Sequence, residues 1–265
     1  MSKYLHIIKI TFEEYFEYRL NFFLWRFRNF ISFITLFFFW LAIYGEREIL
    51  FDYQRSQMLV YIIGVSFLRS IVVASRSVDL AGQIRKGDLT KLLLQPINLG
   101  NFWLTRDLAD KSLNLFFTIF EVGLVIKLFK IDLFFPKNWE TYLFFLISVA
   151  LALTLYFFIS FLLSISAFWT DDVWSIRWLF GIIFLEFFSG GFFPIDILPK
   201  WLVTIINLTP FPYLIYFPLK IWLEQVSGIQ IFKALSICWL WLLFFIFFSK
   251  FAWNKGSKNY SAYGG

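Results

Sequence analysis

The stretch YLFFLISVALALTLYFFISFLLSISAF, residues 142–168, holds no charged residue along its 27 positions. As a helix rising 1.5 Å per residue it covers ~40 Å, more than the ~30 Å of hydrocarbon in a bilayer. The rest of the chain agrees with it. Of 265 residues 60% are hydrophobic and 24% aromatic, with 39 Phe and 12 Trp, and the mean hydropathy is +0.71. A soluble domain is about 45–50% apolar, so an all-α integral membrane protein is the class this composition points to.

Further spans are predicted at 29–45, 58–75, 113–130, 175–194 and 231–250, making six with 142–168. The first is the shortest and can borrow residues from the segment before it. Residues 4–26 are amphipathic: Lys9, Glu13, Glu17 and Asn21 recur every four residues, while Ile8, Phe12, Tyr15, Phe16, Phe22 and Phe23 fill much of the remaining surface. An interfacial helix over 1–28 is the expectation, with a cytosolic helix packed on a partner as the alternative. Glu13, Glu14 and Glu17 lie where a signal peptide would have its apolar core, so the first span is expected to be retained.

Six spans put both termini on one side. Of the 24 Lys and Arg, fifteen then fall on that side, eight on the other, and Arg69 within a span. The bias places both termini in the cytoplasm. The net charge of +6 is distributed among Phe and Trp along the chain, so it reads as span-flanking charge and nucleic acid is not an expected partner. Cys238 is the single cysteine and His6 the single histidine, which leaves no material for a disulfide or a Cys- or His-based metal site. There is no G-x-x-x-x-G-K-[ST], H-E-x-x-H or G-x-S-x-G. No catalytic, metal or cofactor-binding residue is assigned.

Two segments do not fit the apolar pattern. DLAGQIRKGDLTKLLLQPINL, residues 79–99, becomes a cytoplasmic connection within 76–112. Ser77 or Asp79 is expected to cap one short helix ended by Gly87, and Asp88 to cap a second that is stopped by Pro96. Residues 190–230 hold Gly190, Gly191 and five of the seven prolines, Pro194, Pro199, Pro210, Pro212 and Pro218, yet are too apolar for a free loop. Broken helices that dip into the bilayer and return suit this pattern; an interfacial loop with one short helix is the alternative. Three charges fall deep inside spans, away from their ends: Arg69, Glu121 and Glu186. Each costs ~2.5–3.5 kcal/mol on insertion scales and so needs a partner or a polar cavity. Their depths, ~9 Å and ~12 Å from the same side, predict an Arg69–Glu121 pair, with Glu186 lining a pathway or fixing the broken helix.

QIRKGDLTKLLLQPINL resembles the I-R-x-G-x-L-x-x-x-L-L-x-P signature of permease subunits in the ABC type-2 export family. FFSGGFFPIDILPKWLVTIINLTPFPYLIYFP is similar to the SG-x-x-F-P-x-x-x-L-P element of its daunorubicin- and multidrug-exporter-like branch, followed by P-F-x-Y-x-x-x-x-P. The ending WNKGSKNYSAYGG resembles W-x-x-G-x-x-x-Y-x-x-x-G. The resemblance implies a single permease domain over 1–265 in a bacterial cytoplasmic membrane, paired with a second copy or a homologous permease and with two copies of a separate cytosolic ABC ATPase. It implies a coupling helix formed by Gln83, Ile84, Arg85, Lys86, Gly87, Asp88, Leu89, Leu92 and Pro96. There Arg85 and Lys86 would meet the ATPase, and Leu89 and Leu92 would anchor the helices. It implies a re-entrant element over 190–218 near the outer exit, carrying Gly190, Gly191, Pro194, Pro199, Pro210 and Pro212. Gln83 stands where the family usually has Glu, which weakens any salt bridge to the ATPase at that point. The expected function is outward movement of an amphipathic or polymeric substrate. A non-transporting scaffold of a larger membrane complex is the alternative, and an ATP-independent carrier is disfavoured because no span carries the paired acids of ion coupling.

Overall fold

The computed structural model describes residues 2–131, 133–258 and 260; Gly264 of the terminal motif lies outside them. Among the described residues the regular structure is helical apart from one small hairpin. Helix α1 (Ser2–Glu17) is followed after a kink at Tyr18 by α2 (Arg19–Tyr44). The span expected at 29–45 therefore does draw on the amphipathic segment. Strands β1 (Ile49–Leu50) and β2 (Tyr53–Gln54) pair antiparallel, Ile49 opposite Gln54. Phe51 and Asp52, both at positive φ, make their two-residue turn. Then come α3 (Arg55–Ile71), α4 (Asp79–Arg85), α5 (Leu89–Leu93), α6 (Leu99–Phe129), α7 (Trp139–Ile165) and α8 (Val173–Leu179). Residues Phe180–Phe187 continue α8 in the wider π form, and α9 (Lys200–Asn207), α10 (Tyr216–Trp222) and α11 (Ile229–Gly256) complete the chain.

Among the described residues four helices, α2, α6, α7 with its short extension, and α11, are long and apolar enough to cross a membrane. A fifth crossing exists if α3 and Arg76–Arg85, bent by 47°, act as one span. The remaining expected span, 175–194, is here the short α8 plus π turns, ending at Phe187. The third span starts earlier than its apolar run: Asn98 caps α6, its side chain accepting from the Asn101 N–H at 3.0 Å. Half of α7's most apolar window is buried, against 22–28% in the other three, so α7 is the central helix. The main core joins α2 (Phe33, Phe37, Trp40), α3 (Tyr61, Ile62, Leu68), α7 (Ala152, Leu155, Ile159) and α11 (Cys238, Leu242) with the 195–223 segment. A second core sits under α4 and α5, built from Leu80, Ile84, Leu89, Trp103, Phe157 and Ile165. Phe27, Phe116, Phe120 and Phe247 face outward, as the lipid-contacting side of a membrane bundle requires.

Candidate functional site

The inner connection begins where α3 ends. Arg76–Val78 form a 3-10 turn that runs directly into α4. Because the turn supplies the preceding carbonyls, α4 has no open start to cap, and neither Ser77 nor Asp79 caps it. Ser75 caps the turn instead, its Oγ accepting from the Ser77 N–H at 3.3 Å. Ser77 is fully buried, donating to Ser160 Oγ at 2.9 Å while its carbonyl accepts from Ser164 Oγ at 2.7 Å. Arg177 of α8 donates to the same Ser164 hydroxyl at 2.6 Å. Arg76 donates its N–H to Asp107 at 3.0 Å, lies 3.4 Å from Asp110 and 3.2 Å from Asp79, and reaches the Tyr15 hydroxyl at 3.0 Å. Lys111 pairs with Asp107 at 3.2 Å and donates to the carbonyls of Val72 and Ala74. Arg106 pairs with Glu14 of α1. The base of the connection is thus fixed to α1, α6 and α7 by charge and hydrogen bonds, and Arg177 of α8 braces the α7 serines that hold it.

Its tip is different. Gly87 ends α4 with φ +78°, the left-handed geometry glycine adopts at low cost. Asp88 precedes α5 but makes no side-chain cap; its carboxylate accepts from Lys91 Nζ at 2.8 Å, which holds its pKa below the usual carboxylate range. Ile84 and Leu89 point into the inner core and Leu92 packs against it. Gln83 is half-buried, its Oε1 without a hydrogen-bond partner. Arg85, Lys86, Lys91, Leu93 and Leu94 are exposed, Leu94 at 82%. Pro96 follows the end of α5, and its carbonyl accepts from Lys3 of α1 at 3.0 Å.

The membrane-embedded charges pair otherwise than expected. Arg69 pairs with Glu186 and donates to the Gly191 carbonyl at 3.1 Å. Glu121 accepts from Arg26 at 2.5 and 3.0 Å, and Arg26 also reaches Thr118 at 3.1 Å. The Arg69–Glu121 pairing is therefore overturned. Comparing depths alone ignored helix azimuth, and it left Arg26 outside the membrane. Since α2 starts at Arg19, Arg26 lies about 10 Å along it at the helical rise, buried and level with Glu121. A signal for this was present. Asp107, Lys111, Asn114, Thr118 and Glu121 recur at alternating spacings of four and three, a polar seam along one face of α6. Reading 76–112 as loop cut that seam in two.

The outer segment folds inward. Gly190 turns at φ +81°, and an added Cβ would lie 2.6 Å from Tyr61 Oη and 2.9 Å from Tyr216 Cβ. Tyr61 donates to the Gly190 carbonyl at 2.7 Å, and Trp40 to that of Phe192 at 2.9 Å. The prolines sit at helix starts, where a missing N–H costs little. Pro194 and Pro210 precede 3-10 turns, Pro199 precedes α9, and Pro212 lies in the turn Phe211–Tyr213. Asp196 accepts from Lys220 at 2.7 Å and from Tyr53 at 2.9 Å, joining the hairpin to α10. Burial first, and then the Asp196 charge, raise the Tyr53 phenol above its ordinary pKa. The chemistry these groups offer is charge pairing and hydrogen bonding.

Comparison with protein families matches residues 30–264 to a model described as ABC-2 family transporter protein. No curated protein and no solved structure matches the chain.

Proposed function

The chain belongs to the ABC-2 family of transporter proteins, and from that premise we propose that it is the exporting half of a two-component pump driven by a separate cytosolic ATPase. Membership makes it a multi-pass membrane protein and a permease subunit of an ABC transporter. The finer reading concerns how it is driven. Residues 76–98 form the coupling element, both termini lie in the cytoplasm of a bacterial cell, and two permeases pair with two ATPase subunits. The substrate is amphipathic or polymeric, and 190–218 forms a re-entrant element at the outer exit.

One observation carries this reading: the inner connection is rigid at its base and bare at its tip. Arg76, Ser77 and Lys111 tie the base to α1, α6 and α7, while Arg85, Lys86, Leu93 and Leu94 are left exposed. A partner that pushes on such a tip moves the spans rather than only the loop. Exposed leucines flanked by cations suit a partner cleft with an apolar floor and an acidic rim.

The test is co-purification. Wild-type protein solubilised from its native cells should retain a Walker-type ATPase. Leu94→Glu, which alters only the exposed tip, should lose it while eluting as a folded protein of unchanged size. Gly87→Pro should lose it as well. Absence of an ATPase from the wild-type preparation removes the pump reading in favour of a scaffold.

A further inference from the structure

Between α2, α3, α6 and the π turns that carry Glu186 lies a cavity of about 350 Å³. Its wall holds two part-buried ion pairs, Arg26–Glu121 and Arg69–Glu186, and a fifth charge, Arg28. Two guanidinium groups there have unused donors. The Nε of Arg69 is buried without a hydrogen-bond partner. Arg28 is exposed to the cavity and, among the described residues, makes no ion pair or side-chain hydrogen bond. Three cations face two carboxylates, so the wall is one positive charge in excess. Arg28 and the part-exposed head of Arg69 are therefore open to an anion that enters the cavity, and guanidinium groups pair strongly with anions.

A second cavity shares this wall. An apolar groove of about 410 Å³ runs on the far side of the Arg26–Glu121 pair, lined by Phe23, Phe27, Phe30, Phe117 and Phe120. Arg26 and Glu121 line both spaces. A charged compartment and a hydrocarbon compartment therefore meet at one ion pair. Phe23, Phe27 and Phe120 are exposed on the lipid side, so a chain can reach the groove from within the bilayer.

We propose that these two adjoining cavities bind a phosphate-bearing amphiphile, its head beside Arg28 and Arg69 and its hydrocarbon chain passing the Arg26–Glu121 pair to lie along the phenylalanine groove. Arg suits this head because its planar fork donates to two phosphate oxygens at once. The inference rests on the pump reading only in taking such a molecule as the cargo; binding itself needs no ATPase.

Native mass spectrometry of the full-length protein in a neutral maltoside detergent tests it. Three probes separate the contributions: dioleoyl phosphatidic acid, dioleoylglycerol with the same chains and no phosphate, and inorganic phosphate with no chain. One phosphatidic acid adduct is expected, bound at least about tenfold more tightly than either fragment. Arg28→Gln should weaken it about tenfold, the loss of one charge-assisted contact, and Arg28→Lys should recover part of that. Phe120→Ala should weaken phosphatidic acid and leave inorganic phosphate unchanged. Lys200→Gln, on exposed α9, should change nothing. Unaltered phosphatidic acid binding by Arg28→Gln overturns the site, as does equal binding of dioleoylglycerol. Equal binding of inorganic phosphate reduces it to an anion site without a chain and overturns the assignment as well. If phosphatidic acid binds but no ATPase co-purifies, the site stands and the pump reading falls. The reverse pair of results removes the site and leaves the pump.

Discussion

Residues 76–98 and 189–222 are written in the same vocabulary. Each strings short helices together with glycine and proline, and each has a glycine in the left-handed region, Gly87 at φ +78° and Gly190 at φ +81°. Their surroundings are opposite. No atom lies within 4 Å of a Cβ built on Gly87, whereas one built on Gly190 would strike Tyr61 and Tyr216. The inner segment buries its base and exposes its tip; the outer one is packed into the main core with α3 and α11. Broken helices in a membrane bundle thus serve two purposes. One presents a surface to something outside the chain, and the other fills the chain's own interior.

Substitutions can break that contrast. The largest effect is expected at Arg69, which anchors the outer segment through Glu186 and the Gly191 carbonyl. Arg69→Ala leaves Glu186 uncompensated and should cost about 3–5 kcal/mol, read as loss of monodisperse protein after solubilisation. The double change with Glu186→Ala should recover much of the yield; the double change with Glu121→Ala should not. Recovery by the Glu121 combination instead would restore the pairing read from depth alone.

The two glycines give the matched test. Gly190→Ala adds overpacking, typically 1–3 kcal/mol, to the strain of a positive φ. Gly87→Ala incurs the strain alone, about 1–2 kcal/mol. Thermal inactivation midpoints should therefore fall further for Gly190→Ala, and equal falls would refute the contrast. Within the inner segment, Leu89→Ala removes a fully buried side chain and should cost about 2–5 kcal/mol. Leu94→Glu should stay within about 0.5 kcal/mol of wild type. The smallest effect belongs to Asp88→Asn, which removes the exposed partner of Lys91. The Asp88 pKa lies below its ordinary 3.8, so whatever the pair contributes is present above that pH and is lost as pH falls through the lowered value. Melting curves of wild type and Asp88→Asn should be nearly superimposable at pH 7 and converge fully in acid.

Four of the six expected spans were readable because lipid enforces long apolar runs on the sequence itself. Residues 142–168 could be nothing else, and α7 is the central helix. Gly87 and Pro96 were readable because backbone geometry leaves few residues suited to such stops. Helix azimuth was not readable from span depth, so Arg69 was assigned the wrong carboxylate and Arg26 none. The start of α6 was hidden because Asp107, Asp110 and Lys111 look like loop residues when counted singly. Only their spacing, continued through Asn114, Thr118 and Glu121, marks them as one buried face. The cap fell to Ser75 and not to Ser77 or Asp79 because a 3-10 turn ahead of α4 carries no signature of its own.

One arrangement at the inner edge has a mechanical consequence. Helix α1 is strapped to the connection at both of its ends, through Lys3 to the Pro96 carbonyl and through Glu14 and Tyr15 to Arg106 and Arg76. Its far face carries exposed Leu5 and Phe16 beside the exposed Lys9–Glu13 pair. With that face afloat in the headgroup layer, any stroke that lifts the loop must drag α1 through lipid, and any stroke that lowers it must press α1 in. The bilayer then behaves as a return spring in parallel with the protein. The stiffness and surface charge of the membrane would set how far each stroke travels.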